Sequence, residues 1–524
     1  MKSVAASRSD ANKWLIAITV ILGTYVAVID VTIVNVAMPQ MMGTFGVSLD
    51  AITWVAVAYS IAEIVMVAMA FWFNRLMGRK NFYITCIIVF TIASVLSGMA
   101  RSLEMIIFTR ILQGLGGGAL IPMAQGILLE TFPKEEHGTA MAVFMVGVVV
   151  APAMGPVLGG WLTDHYGWPW IFYINIPVGA LSLFLVIRFL PESRYLQRGL
   201  ARIDVVGIIL LVIGLTTLQF FLERGEREDW FDSQLIVVLA VVALCSLIAL
   251  VFWELHTEEP VINLRVLKNV PFAAGTSLGF VFGMTSFASI FILPLFLQQV
   301  RGYSAMDSGL IQMPRMLIML VVAPIAGRLF GRMDSRLLMA VGIMLMMMGY
   351  FDMAHFTLEV GYWQILPGML LTGAGMAFTF NVMSATCMRT ISPVLLTAAS
   401  GLYTLSRRIG GNLGYAFVAT QIPNRTIMHR GHLVEHLTPY DGRTQQALDG
   451  MSGRLASGGL PPGVAEESAL KLLDGSVALQ AQMMAYNDVF WLMGALFVLC
   501  LPLLIPITDR VRRQRSAPGD PAAR

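Results

Sequence analysis

Residues 147–160 read G-V-V-V-A-P-A-M-G-P-V-L-G-G, and small residues recur there at every fourth position. On a helix, positions four apart lie on one face. The small residues on that face are Gly147, Ala151, Gly155 and Gly159. Pro152 and Pro156 each remove a backbone donor from the same helix, which is unfavourable in water. Neighbouring membrane helices can approach a small face and bind the freed backbone groups, so the stretch predicts a closely packed transmembrane helix.

The composition is that of a membrane protein. Hydrophobic residues make up 57% of the 524 residues and charged residues 13%, and the mean hydropathy is +0.73. The net charge of +3 indicates no nucleic-acid partner. The four cysteines lie in apolar runs, without the spacing of a disulfide framework or a metal site.

The sequence contains fourteen apolar runs of about twenty residues, the length that spans a bilayer. Most lysines and arginines fall in the connections that would be cytoplasmic if the N-terminus is inside. We therefore expect an all-α membrane protein with fourteen transmembrane helices and both termini in the cytoplasm. The basic first residues are interpreted as a cytoplasmic tail, since the apolar run that follows is too long for a signal peptide.

An internal repeat occurs at an offset of 259 residues. Gly114 in span four corresponds to Gly373 in span twelve, and the small stripe of span five corresponds to Ser406, Gly410 and Gly414 in span thirteen. The repeat predicts two six-helix bundles with substrate between them. The expected domains are an N-terminal bundle (1–200), two inserted helices (201–262) and a C-terminal bundle (263–524) with a long outer loop (423–487).

Two acidic residues lie within predicted membrane spans. Asp30 is in span one, in V-I-D-V-T-I-V-N-V-A-M-P, and Glu63 is in span two. A carboxylate costs about 2.5–3.5 kcal/mol at the centre of a membrane helix, so each is a candidate functional group. Asp30 has apolar neighbours on both sides. Glu63 has three open interpretations: recognition of a cationic substrate, a second proton site, or a structural partner for an arginine.

Span four carries Arg110, Gln113 and Gly114 in R-x-x-Q-G. A membrane-embedded arginine stays charged and needs a carboxylate, carbonyl groups or water beside it. Asp30 is its expected partner and Glu63 the other candidate. The glycines that follow do not form a phosphate loop, because no Lys-Ser/Thr pair follows them, so no ATP site is expected.

Together these motifs resemble the fourteen-span drug:proton antiporter branch of the major facilitator superfamily, the EmrB/QacA-like branch. Residues 147–160, with Gly160 at their end, resemble its antiporter signature, and the stretches around Asp30, Arg110 and 168–179 (W-P-W-I-F-Y-I-N-I-P-V-G) resemble its first, fourth and sixth helices. The cytoplasmic loop signature is only partly kept, at Gly78, Arg79 and Lys80, because Arg75 stands where the family has an acid.

The resemblance implies proton-coupled export of hydrophobic or amphipathic compounds, driven by the proton gradient without a cofactor, from a bacterial inner membrane. Asp30, Arg110 and Glu63 are then the candidates for proton coupling. The candidate cavity residues are Asp30, Asn35, Glu63, Gln113, Arg315, Asn381 and Arg407. Alternative functions are export of one metabolite or lipid-like compound, uptake by symport, and a membrane sensor that transports nothing. No arrangement typical of an enzyme or a metal site is present.

Two arginines within spans have no assigned role. Arg315 in span ten suits either an anionic substrate or a structural carbonyl or acid partner, and Arg408 follows the family's Arg407. The small face of span five is expected to lie against span ten.

The loop of residues 423–487 is too long for a simple connection. Amphipathic patterns at about 425–437 and 464–485 predict two helices flanking a Gly/Pro-rich centre. A loop of this length resembles that of EmrB-like members, which work with a periplasmic adaptor protein and an outer-membrane channel. We therefore expect such partners, with a lid over the carrier's own outer vestibule as the alternative.

Overall fold

The computed structural model describes residues 2–133, 136–192, 204–330, 332–392, 395–438 and 440–507. These residues form α-helices joined by short turns, and the described ranges contain no β-strand. The helices of the first half are α1 (Lys2–Phe45), α2 (Leu49–Met77), α3 (Arg79–Gly98), α4 (Leu103–Gly117), α5 (Leu120–Thr131), α6 (His137–Tyr166), α7 (Trp170–Tyr173) and α8 (Asn175–Phe189). The inserted helices are α9 (Val205–Arg224) and α10 (Gln234–His256).

The second half follows a short 3₁₀ turn, Leu264–Lys268. Its helices are α11 (Val270–Gln299), α12 (Ala305–Ile311), α13 (Met313–Leu329), α14 (Ser335–Met353), α15 (Tyr362–Arg389), α16 (Leu396–Glu435), α17 (Gly442–Ser457), α18 (Pro462–Leu496) and α19 (Cys500–Leu503). The expected domain boundary at 200/201 lies outside the described residues, and the one at 262/263 lies between α10 and the 3₁₀ turn.

Twelve of the helical segments are long and apolar enough to cross a membrane. The two remaining predicted spans, five and thirteen, are the continuous helices α6 (30 residues) and α16 (40 residues). The all-α, fourteen-helix prediction is therefore confirmed. Prolines lie inside several of these helices, as expected where neighbouring helices compensate for a lost hydrogen bond.

The small face of α6 packs against α1. A Cβ atom added at Gly155 would lie 2.1 Å from Oγ1 of Thr32, and one added at Gly159 would lie 2.9 Å from Ile33. The expectation that this face lies against span ten is therefore wrong for these glycines. Span ten, as α12 and α13, contacts other parts of α6. At the first turn of α6, a Cβ added at Gly327 would lie 2.9 Å from the carbonyl oxygen of Gly138.

The second half repeats this packing. A Cβ added at Gly410 or Gly414 of α16 would lie 2.1 Å from a backbone carbonyl oxygen of α11. Gly114 and Gly373, paired by the repeat, each approach a carbonyl oxygen of the neighbouring helix, with 2.5 Å between the added Cβ and the oxygen of Tyr59 or Arg315. A side chain at any of these four positions would overlap the neighbouring backbone, so glycine is required for the helices to approach so closely.

The two halves also contact each other between the first half of α5 and the start of α16. Ser400 Oγ donates to the carbonyl oxygen of Pro122 at 3.0 Å, and Thr404 Oγ1 donates to Gln125 Oε1 at 3.2 Å.

The long outer segment is mostly helical. The two flanking helices are confirmed, as extensions of α16 to Glu435 and of α18 from Pro462, and α17 between them was not anticipated. Asp488 joins the two extensions by accepting from Arg425 at 2.5 Å and contacting His429 at 2.8 Å.

The predicted apolar face of α18 is divided. Val477 and Met483 are buried, whereas Val464, Leu470 and Leu472 are exposed. Part of this face is therefore used for packing within the chain, and part of it remains on the surface.

Candidate functional site

Asp30 is the centre of a buried polar cluster within the first half. Its side chain lies on α1 and is 0% exposed. One oxygen, Oδ2, pairs with Arg110 of α4. The other, Oδ1, accepts from Gln113 Nε2 at 2.8 Å and from Asn175 Nδ2 at 2.9 Å. All these partners donate, so the surroundings of Asp30 match its ionised form.

Arg110 is enclosed as completely as Asp30. Its Nη1 also donates to Gln113 Oε1 at 2.7 Å, and its Nε donates to the carbonyl oxygen of Val55 at 3.1 Å. The guanidinium lies 4.2 Å from the ring centroid of Tyr59, a favourable cation–π contact. Of the two candidate partners for Arg110, the structure therefore places Asp30 beside it.

Sequence reasoning assigned no role to two members of this cluster, Asn175 and Ser94. Asn175 begins α8 and Ser94 lies on α3; Ser94 Oγ accepts from Gln113 at 2.8 Å and from Asn175 at 3.3 Å. Asn175 lies inside the motif at residues 168–179, so a polar residue in that apolar stretch was the available signal. Ser94 gave no comparable signal, because serine is common within membrane helices.

Glu63 lies apart from this cluster and pairs with Arg408. Glu63 belongs to α2 in the first half and Arg408 to α16 in the second, so the ion pair joins the two halves. Glu63 is 5% exposed at its side chain and Arg408 18%. Of the three interpretations of Glu63, the observed contact matches the arginine partner, and the partner is the previously unassigned Arg408.

The inserted helix α9 contacts the same region of α16. Asn412, one turn beyond Arg408, donates through Nδ2 to Gln219 Oε1 of α9. Gln219 in turn donates to Glu223 Oε1 at 2.7 Å. The inserted helices thus have polar as well as apolar contacts with the second half.

Arg315 of α13 is buried in a cluster of hydroxyl groups. Its Nη2 donates to Ser289 Oγ of α11, and both its Nε and Nη2 lie 3.3 Å from Thr372 Oγ1 of α15. Within the described ranges no carboxylate forms an ion pair with it.

This hydroxyl cluster occupies the position that the repeat pairs with the Asp30 cluster. An offset of 259 residues takes Asp30 to Ser289 and Gln113 to Thr372. In the first half the two paired residues are bonded to each other, and in the second half both bind Arg315. The two halves therefore hold polar centres at equivalent positions, one with an acid and one without.

The other cavity candidates are dispersed. Asn35 is exposed, and Asn381 is buried, with its Nδ2 3.4 Å from the carbonyl oxygen of Ala323. The guanidinium of Arg407 lies 5.0 Å from the ring centroid of Phe380. In this conformation Asp30, Gln113, Arg315 and Asn381 are all buried.

The antiporter stretch lies within α6. Ala151 is buried, as are Gly155 and Gly159 of its face, and a Cβ added at Gly160 would come no nearer than 4.0 Å to Val36. Pro152 and Pro156 are part of the continuous helix.

The cytoplasmic loop motif forms the turn between α2 and α3. Gly78 has φ of 83°, a backbone region that favours glycine. Arg79 pairs with Glu130 at 2.5 Å, and Lys80 Nζ donates to the carbonyl oxygen of Ile187 at 2.7 Å. The motif therefore ties this turn to the ends of α5 and α8.

In the part of the chain that the structure describes, no three His, Cys, Asp or Glu side chains converge.

Comparisons with known proteins agree with this geometry. The family model of the Major Facilitator Superfamily matches residues 20–415. The chain is 32% identical over 492 residues to the multidrug export protein EmrB of Escherichia coli K12, covering 94% of each chain. It is 29% identical over 486 residues to the fatty acid resistance protein FarB of Neisseria gonorrhoeae, covering 92% of this chain and 94% of that one.

Solved structures show the same fold. The human organic anion transporter MFSD10 aligns with a TM-score of 0.61 at 14% identity, over 94% of this chain and 99% of that chain. The fourteen helices, the repeated packing of the two halves and these matches show that the chain is a multi-pass membrane protein of the major facilitator superfamily, in the group of that superfamily that includes EmrB.

Proposed function

We propose that this protein is a proton-coupled antiporter that exports hydrophobic or amphipathic compounds across a bacterial inner membrane. The names of its relatives, a multidrug export protein and a fatty acid resistance protein, support export of such compounds. The observation that carries the coupling is the fully buried pair of Asp30 and Arg110.

Asp30 is the residue that exchanges the proton in this proposal. Its ionised form is neutralised by Arg110 and bound by two amide donors. When Asp30 takes up a proton, it loses its ionic attraction to Arg110, which then needs another partner or water. Proton binding therefore changes the packing of α1 against α4, and α1 also carries the contact with the small face of α6. This connects the proton to helices that must move during transport.

The experiment is transport by Asp30→Asn in proteoliposomes with an imposed pH gradient. Asparagine keeps the size of the side chain but binds no proton. We expect uphill export to be lost, while downhill exchange of substrate and the yield of folded protein are kept. Asp164→Asn, which changes an exposed carboxylate at the end of α6, is the matched control and should transport normally. Uphill transport by Asp30→Asn at the wild-type rate would contradict the assignment, and Glu63 would be tested next.

The proposed orientation has both termini in the cytoplasm, from the lysine and arginine bias. In that orientation, the contacts of α5 with α16 and of α6 with α13 lie on the cytoplasmic side. The described conformation is then one in which the cytoplasmic ends of the two halves are closed together.

The outer helices are the proposed docking site of a periplasmic adaptor, which would pass substrate to an outer-membrane channel. Leu470 and Leu472 are more than half exposed on α18, outside the length needed to cross the membrane. Exposed apolar side chains on a helix beyond the bilayer favour a protein partner.

The test replaces both leucines, as Leu470→Ser and Leu472→Ser, with Lys471→Ser as the control between them. If the adaptor docks here, drug resistance of cells falls while transport in proteoliposomes is unchanged. Loss of both activities would indicate a lid over the carrier instead. Loss of neither would remove this face from the mechanism.

A further inference from the structure

Two buried carboxylates meet where the inserted helices approach the second half. Asp204 is the N-cap of α9, and its Oδ1 accepts from the backbone N–H of Gly207 at 2.8 Å and from Trp253 Nε1 at 2.7 Å. Glu254 follows Trp253 near the end of α10 and is 0% exposed. Asp204 is 8% exposed.

The remaining carboxylate oxygens have no hydrogen-bond partner. These are Oδ2 of Asp204 and both oxygens of Glu254. The backbone N–H groups of Val261 and Ile262 approach the Glu254 carboxylate as weak donors, and neither of its oxygens has a partner that meets full hydrogen-bond geometry. Buried carboxylate oxygens are normally bonded, so three unpartnered ones in one place require an explanation.

One unpartnered oxygen of each carboxylate lies beside Gly207. A Cβ atom added at Gly207 would lie 2.3 Å from Asp204 Oδ2 and 3.0 Å from Glu254 Oε1. The two carboxylates therefore approach each other beside the Cα atom of Gly207. Any residue with a Cβ atom at this position would fill the space between them.

Two arginines in the described segments next to α10 and α2 are bonded to other groups. Arg265 donates to the carbonyl oxygens of Leu255 and Thr257, and Arg75 pairs with Glu259. Among the described residues neither Asp204 nor Glu254 forms an ion pair with a side chain. Two facing negative charges out of water repel each other and lose their hydration, so they need a positive charge between them.

We propose that Asp204 and Glu254 form a binding site for one small cation, either a proton shared by the two carboxyl groups or a metal ion that prefers oxygen ligands. A shared proton turns one carboxylate into a donor for the other. A hard cation such as Ca²⁺ or Mn²⁺ binds carboxylate oxygens directly. Both occupants supply the same missing charge, and the experiment separates them.

The bound cation would tie three parts of the chain together. Asp204 starts α9, Glu254 ends α10, and Val261 and Ile262 belong to the segment that leads into α11. The site therefore fixes the inserted helices to each other and to the start of the second half.

The test is thermal unfolding of the full-length protein in detergent, followed by tryptophan fluorescence. The variant is Glu254→Gln, which removes one charge at constant size. Glu258→Gln, which changes an exposed acid four residues further on, is the matched control. Asp204→Asn is the second variant, since it keeps the acceptor for Gly207 and Trp253.

The melting temperature of each protein is measured in two series. One series varies pH from about 6 to about 9 with EDTA present. The other adds Ca²⁺ or Mn²⁺ at fixed pH.

A shared proton stabilises the folded protein at low pH, and this contribution is lost as pH rises. The melting temperature of the wild type and of Glu258→Gln should then fall with pH by about 2 °C or more beyond that of Glu254→Gln. A metal site instead predicts that the added ion raises the melting temperature of the wild type and the control but not of Glu254→Gln. If the wild type, Glu254→Gln and Asp204→Asn respond alike in both series, the proposal is wrong.

Discussion

Glu63→Gln tests the ion pair that joins the two halves. The substitution keeps the size of the side chain and removes the charge that faces Arg408. Arg408 then remains charged at the α2–α16 contact without its carboxylate. Since that cost applies only while the two helices are together, we expect the variant to favour conformations in which α2 and α16 have separated and water reaches Arg408.

The size of this conformational shift follows from how deeply the Glu63–Arg408 pair is buried. Removing one partner of a buried ion pair costs about 3–5 kcal/mol. Arg408 keeps 18% of its side-chain surface accessible, so water screens part of its charge and we take the lower end, about 3 kcal/mol. At 1.4 kcal/mol for each factor of ten, this shifts the equilibrium about 100-fold toward the separated arrangement.

The assay is a distance measurement between spin labels at the outer ends of α2 and α16, in a chain whose four cysteines are replaced. The wild type should show a short distance and Glu63→Gln mainly a longer one. The double variant Glu63→Gln/Arg408→Gln leaves no unpaired charge. In this double variant, the ratio of molecules with the short distance to those with the long one should return to within about tenfold of the wild-type ratio.

Transport measurements on the same proteins separate a purely structural role of Glu63 from a role in carrying a proton. If the pair is only structural, the double variant should recover uphill transport along with the short distance. A double variant that has the wild-type distances but no uphill transport would assign a proton to Glu63. Unchanged distances in Glu63→Gln would refute the argument that this pair holds the halves together.

Two further predictions concern helix packing and the Asp30 cluster. Gly155→Leu places a side chain where Thr32 lies within 2.1 Å of the added Cβ, so it should destabilise the α1–α6 contact by about 1–3 kcal/mol and lower the melting temperature, whereas Gly160→Leu has room and should not. Asn175→Leu removes one of the two amide donors to Asp30, at a cost of about 1–3 kcal/mol, and should shift the pH dependence of uphill transport without abolishing downhill exchange.

The contact between Asp30 and Arg110 could be predicted because a charged group inside a membrane is stable only beside an opposite charge, polar groups or water. An acid and an arginine in helices of one bundle are expected to pair, and the structure places them together. The fourteen helices could be predicted for a similar reason, since span length and hydropathy are fixed by the bilayer.

The pair of Glu63 and Arg408 could not be derived in this way. The two residues are 345 positions apart and belong to different halves, so their contact depends on how the halves are docked. Residue spacing within each half holds no information about that docking. The partner of the small face of α6 was missed for a related reason. A stripe of glycines specifies a close approach but does not identify the neighbouring helix.

The helix α17 was missed because its sequence, G-R-T-Q-Q-A-L-D-G-M-S-G-R-L-A-S, contains three glycines, which weaken the helical pattern. Its start is marked by Asp441, whose side chain accepts from the N–H of Thr444 at 3.3 Å.

The polar centres at the paired positions of the two halves differ, and this difference limits the number of protons that these positions can carry in one transport cycle. Asp30 carries a carboxyl group that can gain or lose a proton, whereas the paired Ser289, which accepts from Arg315, carries only a hydroxyl group that does not ionise at physiological pH. A carrier with an acid in both places would move two protons there in each cycle. In this protein the paired positions supply at most one, so any greater stoichiometry requires a titratable group outside the symmetric pair. Counting charges moved per substrate molecule across a clamped voltage, corrected for the charge of the substrate, tests this limit.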